Sequence, residues 1–167
     1  MDSNELKSLQ RPLKQSYRED AAGALVTLEA SGQIDDQNIT CSVATGRAIV
    51  EAGLHPASGG DGTSACSGDM LLQALVACAG VTLQSVATNR GLALEGGTVR
   101  AEGDLDFRGT MGVDPDAPVG FRDIRLSFSL EGEISDEDRA ALIETTERYC
   151  VVLQTLLSPP AIVVSTT

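Results

Sequence analysis

Two cysteines, each on the apolar face of a predicted helix, are the candidates for thiol chemistry in this sequence. Cys78 falls on an apolar stripe of one predicted helix, and Cys150 falls on the apolar stripe of another. Helices that face each other across a core bring two such thiols together. One interpretation is a pair of small buried hydrophobic residues, since free cysteine is among the most buried residue types. The other is a redox pair, in which a thiolate attacks an electrophile and the second thiol resolves the product.

The other thiols and the single histidine give weaker signals. Cys41 lies on the apolar side of a predicted strand, which favours a core residue. Cys66 precedes a predicted helix, where it is either a solvated turn residue or a reactive thiol. If that helix is continuous, Cys66 lies about 18 Å from Cys78, whereas a disulfide needs Cα atoms within about 7 Å. His55 lies in a loop, and without a CxxC or HxxxH spacing we predict no metal and no cofactor.

The composition is typical of a globular protein and argues against several classes of partner. The 167 residues, 42% of them hydrophobic, suffice for one domain with a core. A net charge of −12 argues against nucleic acid or an anionic membrane as partner, and the absence of Trp argues against base stacking. The polar N-terminus lacks a signal-peptide pattern and four cysteines are too few for a disulfide scaffold, so we expect the reducing cytoplasm.

One stretch, residues 67–91, organises the predicted fold. Its middle is uncharged and apolar on nearly every face, with Ser67 at its start, Asp69 in its first turn and Gly91 just past its end. These residues are typical of helix termini, and a helix that is apolar on all faces is expected to be buried on all faces. Its polar residues and the strands around it favour a core helix over a membrane span.

Strand patterns surround this helix. Beyond frayed residues 1–11, we predict a polar helix over 12–22, a hairpin over 24–34 and 38–50, strands over 99–107 and 121–131, a second helix over 135–157 and a last strand over 161–166. The strands alternate on one side only, which indicates an antiparallel sheet with one solvated face. The predicted fold class is therefore α+β, with the sheet on one buried and one amphipathic helix. Residues 1–37 are predicted to be an N-terminal extension and 38–167 the main domain, together one compact unit.

Four segments occur in an informative order. A GGDG loop at 59–62 precedes the helix DMLLQALVACAGVTLQSVA (69–87), and GFRDIRLSFSL (120–130) and TERYCVV (146–152) follow. This order resembles the OsmC/Ohr family, the osmotically inducible and organic hydroperoxide resistance proteins. The resemblance covers residues 38–165 and leaves the first 35 residues outside it.

The resemblance implies an intertwined homodimer, in which sheets cradle two central helices and the active sites lie at the subunit interface. It implies a thiol peroxidase for organic hydroperoxides, with Cys78 as the peroxidatic and Cys150 as the resolving cysteine. An external dithiol, lipoyl-like in part of the family, is the implied reductant. In these peroxidases an arginine held by a carboxylate activates the thiol. Asp69 occupies a position where one branch of the family has Glu. Arg47 is the first candidate for the activating arginine, and Arg18 is the second.

Some positions depart from the family pattern. Ser67 and Val151 stand where the family commonly has proline. Since Cys78 lies in mid-helix, we expect no helix N-terminus near it and therefore a need for a neighbouring cation. The alternative function is a redox-inactive binding or structural protein with an apolar cleft between subunits. A pKa of Cys78 clearly below that of a free thiol favours the enzyme, and a pKa near or above it favours the alternative.

Overall fold

The computed structural model describes residues 2–5, 7–8, 10–11, 15, 32–34, 40–44, 49–112 and 114–166. Backbone contacts divide the chain into two compact units. Unit 1 comprises residues 1–19, 74–100 and 127–167, and unit 2 comprises residues 20–73 and 101–126. The long helix α1 (Ser67–Arg90) and the strands β5 (Gly96–Leu105) and β6 (Phe121–Glu131) contribute residues to both units.

A four-stranded sheet lies in unit 2. Its strands follow chain order: β1 (Gly32–Ile34), β2 (Thr40–Ala44), β3 (Ile49–Gly53) and β4 (Ala65–Cys66). The first three pair antiparallel, and β4 pairs parallel with β3. The predicted hairpin is thereby confirmed over 32–34 and 40–44. The segment predicted as one strand over 38–50 contains two strands, β2 and β3, which pair with each other so that Ala44 lies opposite Ile49. Residues 45–48 are outside the described residues.

Helix α1 begins and ends where the sequence predicts. Asp69 lies in its first turn, and Gly91 follows its last residue with a φ of +70°. The N–H of Leu92 bonds to the carbonyl of Ala87 at 3.0 Å, which is the Schellman arrangement that glycine favours at this position.

The expectation that α1 is buried on all faces is wrong for the single chain. Only a stripe with a spacing of four residues is fully buried, namely Leu75, Ala79, Leu83 and Ala87. On the opposite side Val81 is 73% exposed. Among the described residues α1 is the one helix whose length and apolar composition would allow a membrane span, a criterion that core helices of globular proteins also meet.

The core of unit 1 forms where α1, β6 and helix α2 (Asp136–Tyr149) meet. Leu83, Ala87 and Leu142 are buried there, and Phe128 packs against them. Ser135 caps α2 as predicted, since its Oγ accepts a hydrogen bond of 3.0 Å from the N–H of Asp138.

The helix predicted over 135–157 is two helices. Helix α2 ends at Tyr149, Cys150 has an extended backbone (φ −72°, ψ 105°), and helix α3 (Val151–Leu157) begins at the next residue. The break costs few hydrogen bonds, because the N–H of Cys150 still reaches the Thr146 carbonyl and its own carbonyl accepts from Gln154, both at 2.9 Å. Two β-branched residues follow Cys150, and such residues favour helix continuation less than Ala or Leu do.

Strands β5 and β6 form a two-stranded sheet. The N–H of Glu95 bonds to the carbonyl of Glu131 (3.0 Å), and the hydroxyl of Ser127 bonds to the carbonyl of Arg100 (3.4 Å), so the strands run antiparallel. Half-buried and exposed residues alternate along both strands. The one-sided alternation in the sequence is thereby confirmed.

The two ends of the chain differ from the prediction. The described residues within 3–11 are helical rather than frayed, because Asp2 and Glu5 form a reciprocal cap: Asp2 Oδ1 accepts the N–H of Glu5 (2.9 Å), and Glu5 Oε2 accepts that of Asp2 (2.8 Å). Of the helix predicted over 12–22, only Gln15 is described, and it is helical. Residues 161–166 form no strand and expose Ile162 and Val163, since β-propensity alone does not make a strand without a neighbouring one.

Candidate functional site

Cys78 and Cys150 lie together in unit 1. Cys78 is half-buried on α1, and Cys150 is fully buried at the junction between α2 and α3. The thiol of Cys150 donates a hydrogen bond to the sulfur of Cys78, and neither residue is in a disulfide. The two thiols that the sequence places on separate helices are therefore within reach of each other.

Three more donors surround the sulfur of Cys78. The N–H groups of Val151 and Val152 point to it from the first turn of α3, and the hydroxyl of Thr82, one turn further along α1, also donates to it. The first N–H groups of a helix have no partner inside that helix, so the break at Cys150 frees them for the sulfur. The expectation that no helix N-terminus lies near Cys78 is wrong for this reason.

The environments of the two thiols shift their pKa values in opposite directions. Burial by itself raises the pKa of Cys78, but the four hydrogen bonds to its sulfur outweigh burial and bring that pKa below its ordinary value. Burial is also the main reason why the pKa of Cys150 is raised, and donation to Cys78 together with the charge of a Cys78 thiolate raises it further. Of the two thiols, Cys78 therefore loses its proton more readily.

This arrangement fits nucleophilic chemistry. Thiolates, not thiols, attack electrophiles, and Cys78 is half-exposed while its partner is enclosed. A second thiol within hydrogen-bonding distance of the attacking sulfur can form a disulfide with it after oxidation. The geometry suits a two-cysteine redox cycle.

The other predicted site residues are either outside the described residues or part of unit 2. Arg47 and Arg18 are outside the described residues, so their proximity to Cys78 stays a prediction. Asp69 is exposed in the first turn of α1, in the part of that helix that belongs to unit 2. Within the described part of the chain, the groups that lower the pKa of Cys78 are hydrogen-bond donors and include no cation.

Sequence reasoning missed the donors to Cys78. Thr82 was detectable, because residues four apart lie on one face of a helix. The N–H groups of Val151 and Val152 had no sequence signal, since they depend on a helix break that the apolar pattern does not predict.

A cavity of about 670 Å³ in unit 1 includes Thr82 in its wall. Its described lining is Gln10, Val81, Thr82, Ser85, Val86, Asn89, Arg90, Thr145 and Tyr149. The volume is within the range of small-molecule sites, and the wall combines apolar and hydrogen-bonding groups. Thr82, which also donates to Cys78, is the residue shared by this cavity and the surroundings of the thiol pair.

A second cavity, of about 340 Å³, lies in unit 2. Its wall includes His55, Cys66, Asp69, Phe107 and Phe121. Although four side chains of metal-ligating types line it, those of His55, Cys66, Asp69 and Asp104, no group of three or more His, Cys, Asp or Glu among the described residues is arranged to hold a metal ion.

Comparisons with known proteins identify the architecture. Residues 60–165 match the family model described as "OsmC-like protein". No curated protein matches the sequence.

Solved structures share the fold at low sequence identity. An OsmC-like protein from Mycoplasma pneumoniae superposes with a TM-score of 0.67 at 15% identity, over 80% of this chain and 89% of that one. An organic hydroperoxide resistance protein from Legionella pneumophila gives 0.62 at 18% identity, over 80% and 91%. One from Elizabethkingia anophelis gives 0.63 at 18% identity, over 81% and 91%. These similarities establish the fold.

Proposed function

The chain belongs to the OsmC-like family, and from that premise we propose that it is a cysteine-based thiol peroxidase that reduces organic hydroperoxides. The observation that carries the proposal is the contact between Cys78, whose pKa is lowered, and Cys150, whose pKa is raised. Two structural relatives are named organic hydroperoxide resistance proteins, which supports the choice of substrate.

The first step uses Cys78 as the nucleophile. Its thiolate attacks one oxygen of the O–O bond, the bond breaks, and the other oxygen leaves as an alkoxide that takes up a proton to become the alcohol. Cys78 is oxidised to a sulfenic acid and the hydroperoxide is reduced. The lowered pKa of Cys78 raises the fraction of reactive thiolate at neutral pH.

The second step uses Cys150. Once Cys78 is a neutral sulfenic acid, its negative charge no longer raises the pKa of Cys150. Cys150 then loses its proton more readily and attacks the oxidised sulfur, and a disulfide forms as water leaves. An external dithiol, lipoyl-like in part of the family, returns both cysteines to the reduced state.

Activation of Cys78 in this proposal rests on the Cys150 thiol, the two N–H groups of α3 and the Thr82 hydroxyl. Arg47 and Asp69 stay predicted as an additional activating pair. Hydrogen bonds to a charged group are stronger than those between neutral groups, so these donors favour the ionised form of Cys78.

The proposal includes a homodimer in the cytoplasm. Helix α1 is apolar on nearly every face, yet the single chain leaves Val81 and Leu71 exposed. A second copy that covers this face would remove the exposed apolar area from water. Light scattering is expected to give twice the chain mass, and Val81→Asp is expected to yield monomers.

Turnover with defined reagents tests the function. Reduced protein, cumene hydroperoxide and dihydrolipoamide are combined, and hydroperoxide consumption is followed. We expect turnover in the wild type, none in Cys78→Ser, and a single stoichiometric oxidation in Cys150→Ser. No consumption by the wild type with dihydrolipoamide would favour the redox-inactive binding or structural protein. Equal consumption by Cys78→Ser would contradict the role proposed for Cys78.

A further inference from the structure

The helix break at Cys150 takes away the usual donor to one backbone carbonyl, that of Glu147. In a continuous α-helix the N–H of each residue donates to the carbonyl four residues earlier, so Val151 would donate to Glu147. Here the N–H of Val151 points to the sulfur of Cys78 instead. The Glu147 carbonyl lies in the last turn of α2 and therefore needs a donor from outside that helix.

The side chain of Gln154 is that donor. Its Nε2 donates a hydrogen bond of 2.9 Å to the carbonyl of Glu147, seven residues earlier and on the other side of the break. A carbonyl only accepts, so the amide nitrogen of Gln154 and not its oxygen faces it. The backbone N–H of Gln154 also donates to the carbonyl of Cys150, at 2.9 Å. One residue of α3 is therefore bonded both to Cys150 and to the end of α2.

Helix α3 packs less deeply than α2. None of its seven residues, all of which the structure describes, is fully buried, whereas α2 buries Leu142 and Thr146. A short helix with little buried area depends more on the hydrogen bonds at its ends. Gln154 is exposed, and water would satisfy the Glu147 carbonyl in its place, but water does not connect the two helices.

We propose that Gln154 is a positioning residue for the second step of the peroxidase cycle proposed above, on which this inference rests. Its side chain replaces the N–H that Val151 directs to Cys78, and it thereby fixes the junction between α2 and α3 where Cys150 lies. Without this hydrogen bond both helices persist, but the angle between them varies more. Because the thiol of Cys150 has to approach the oxidised sulfur in one orientation, a looser junction slows disulfide formation.

The test uses the full-length reduced protein and dithiodipyridine, a small disulfide that takes the place of the hydroperoxide. The thiolate of Cys78 attacks one sulfur of the reagent, the reagent's S–S bond breaks, and one pyridinethione leaves. Cys150 then loses its proton and attacks the sulfur of Cys78, which forms the protein disulfide and releases a second pyridinethione. Absorbance follows both releases, and the phase that is missing in Cys150→Ser is the second one.

Two substitutions of Gln154 separate hydrogen bonding from side-chain size. Gln154→Met removes the donor but keeps the length and the helix propensity of the side chain. It should slow the second release by about threefold, the effect of one solvent-exposed hydrogen bond. Gln154→Lys restores a donor that can reach the last carbonyls of a helix, so its rate should be close to that of the wild type. An unchanged rate in Gln154→Met, or no recovery in Gln154→Lys, would overturn the proposal.

Thr155→Val is the matched control on the same helix. The hydroxyl of Thr155 donates to the carbonyl of Val151 at 2.8 Å, so this variant also loses a hydrogen bond, but one that lies within α3. The second release should keep its wild-type rate in Thr155→Val, and equal slowing in Thr155→Val and Gln154→Met would contradict a positioning role. Because the reagent replaces the hydroperoxide, a failed peroxidase assay and a failed role for Gln154 are distinguishable.

Discussion

The thiol of Cys150 donates a hydrogen bond to the sulfur of Cys78, from the residue at which one helix ends and the next begins. The same break directs two backbone N–H groups to that sulfur. One local departure from helical geometry therefore positions the second thiol and also stabilises the first as a thiolate. The catalytic proposal depends on this junction more than on any charged residue that the structure describes.

The two thiols should respond to pH in opposite ways. Alkylation by iodoacetamide follows the thiolate fraction, and a lowered pKa moves its rise with pH to more acidic values. Cys78 should therefore be alkylated at lower pH than a free cysteine, and Cys150 at higher pH. Peptide mass spectrometry after timed alkylation across pH measures both curves. A Cys150 curve at lower pH than the Cys78 curve would reverse the assigned roles.

Removal of the Thr82 hydroxyl should weaken the thiolate. Thr82→Val keeps the shape of the side chain but removes one donor to Cys78. Loss of a hydrogen bond worth about 1 kcal/mol should slow alkylation of Cys78 near pH 7 by about fivefold. Thr82→Ser retains a hydroxyl and should stay close to the wild type, and Thr145→Val is the control for a change elsewhere in the same cavity. If Thr82→Val behaves as Thr145→Val does, the hydroxyl has no role at the sulfur.

Val151→Pro separates stability from reactivity. Residue 151 is the first residue of α3, where proline fits, and the extended backbone of Cys150 suits a residue before proline. The variant should gain about 0.5 kcal/mol of unfolding free energy through a less flexible unfolded chain. It also loses an N–H donor to Cys78, so alkylation of Cys78 near pH 7 should slow.

Denaturant unfolding and the alkylation curve measure these two effects on the same preparation. Val152→Ala, which keeps its backbone N–H, is the control for a side-chain change in the same turn. Unchanged reactivity in Val151→Pro would mean that this N–H does not stabilise the thiolate.

Leu142 should be a main contributor to the stability of unit 1. It is fully buried against Leu83 and Ala87, so Leu142→Ala leaves a cavity and should cost about 2–5 kcal/mol of unfolding free energy. Leu157, 66% exposed on α3, is the matched control, and its replacement by Ala should cost within about 0.5 kcal/mol. Chemical denaturation compares them, and similar losses for both would place the core elsewhere.

Local signals in the sequence predicted most of the described elements. The ends of α1 followed from Asp69 and Gly91, the start of α2 from Ser135, and β5 and β6 from one-sided alternation. Each of these depends on residues a few positions apart. The cap formed by Asp2 and Glu5 also joins residues three positions apart, but residues 1–11 were predicted to be frayed.

The missed features depend on contacts that are distant along the chain. The apolar stripe continues through Cys150, so periodicity predicts one helix although the backbone breaks there. Residues 161–166 have strand composition but no described strand beside them. The sequence overestimates the burial of α1, because an apolar helix face can be covered by the same chain or by a second one, and the pattern does not distinguish the two.

The candidate site was predictable in part. The resemblance selected Cys78 and Cys150, and the structure places them in contact. It could not supply the hydrogen bonds that shift their pKa values, since most of these come from the backbone of α3. The predicted activation of Cys78 by an arginine depends on Arg47, which is outside the described residues.

The most direct test of the central claim is the product of a single turnover. Fully reduced protein is treated with one equivalent of cumene hydroperoxide. The cysteines that remain as thiols are then alkylated, and the peptides are mapped by mass spectrometry without reduction. The account predicts a Cys78–Cys150 disulfide in the wild type, and in Cys150→Ser a sulfenic acid on Cys78 that dimedone traps. Thiols that stay reduced, or oxidation that appears first at Cys66 or Cys150, would contradict it.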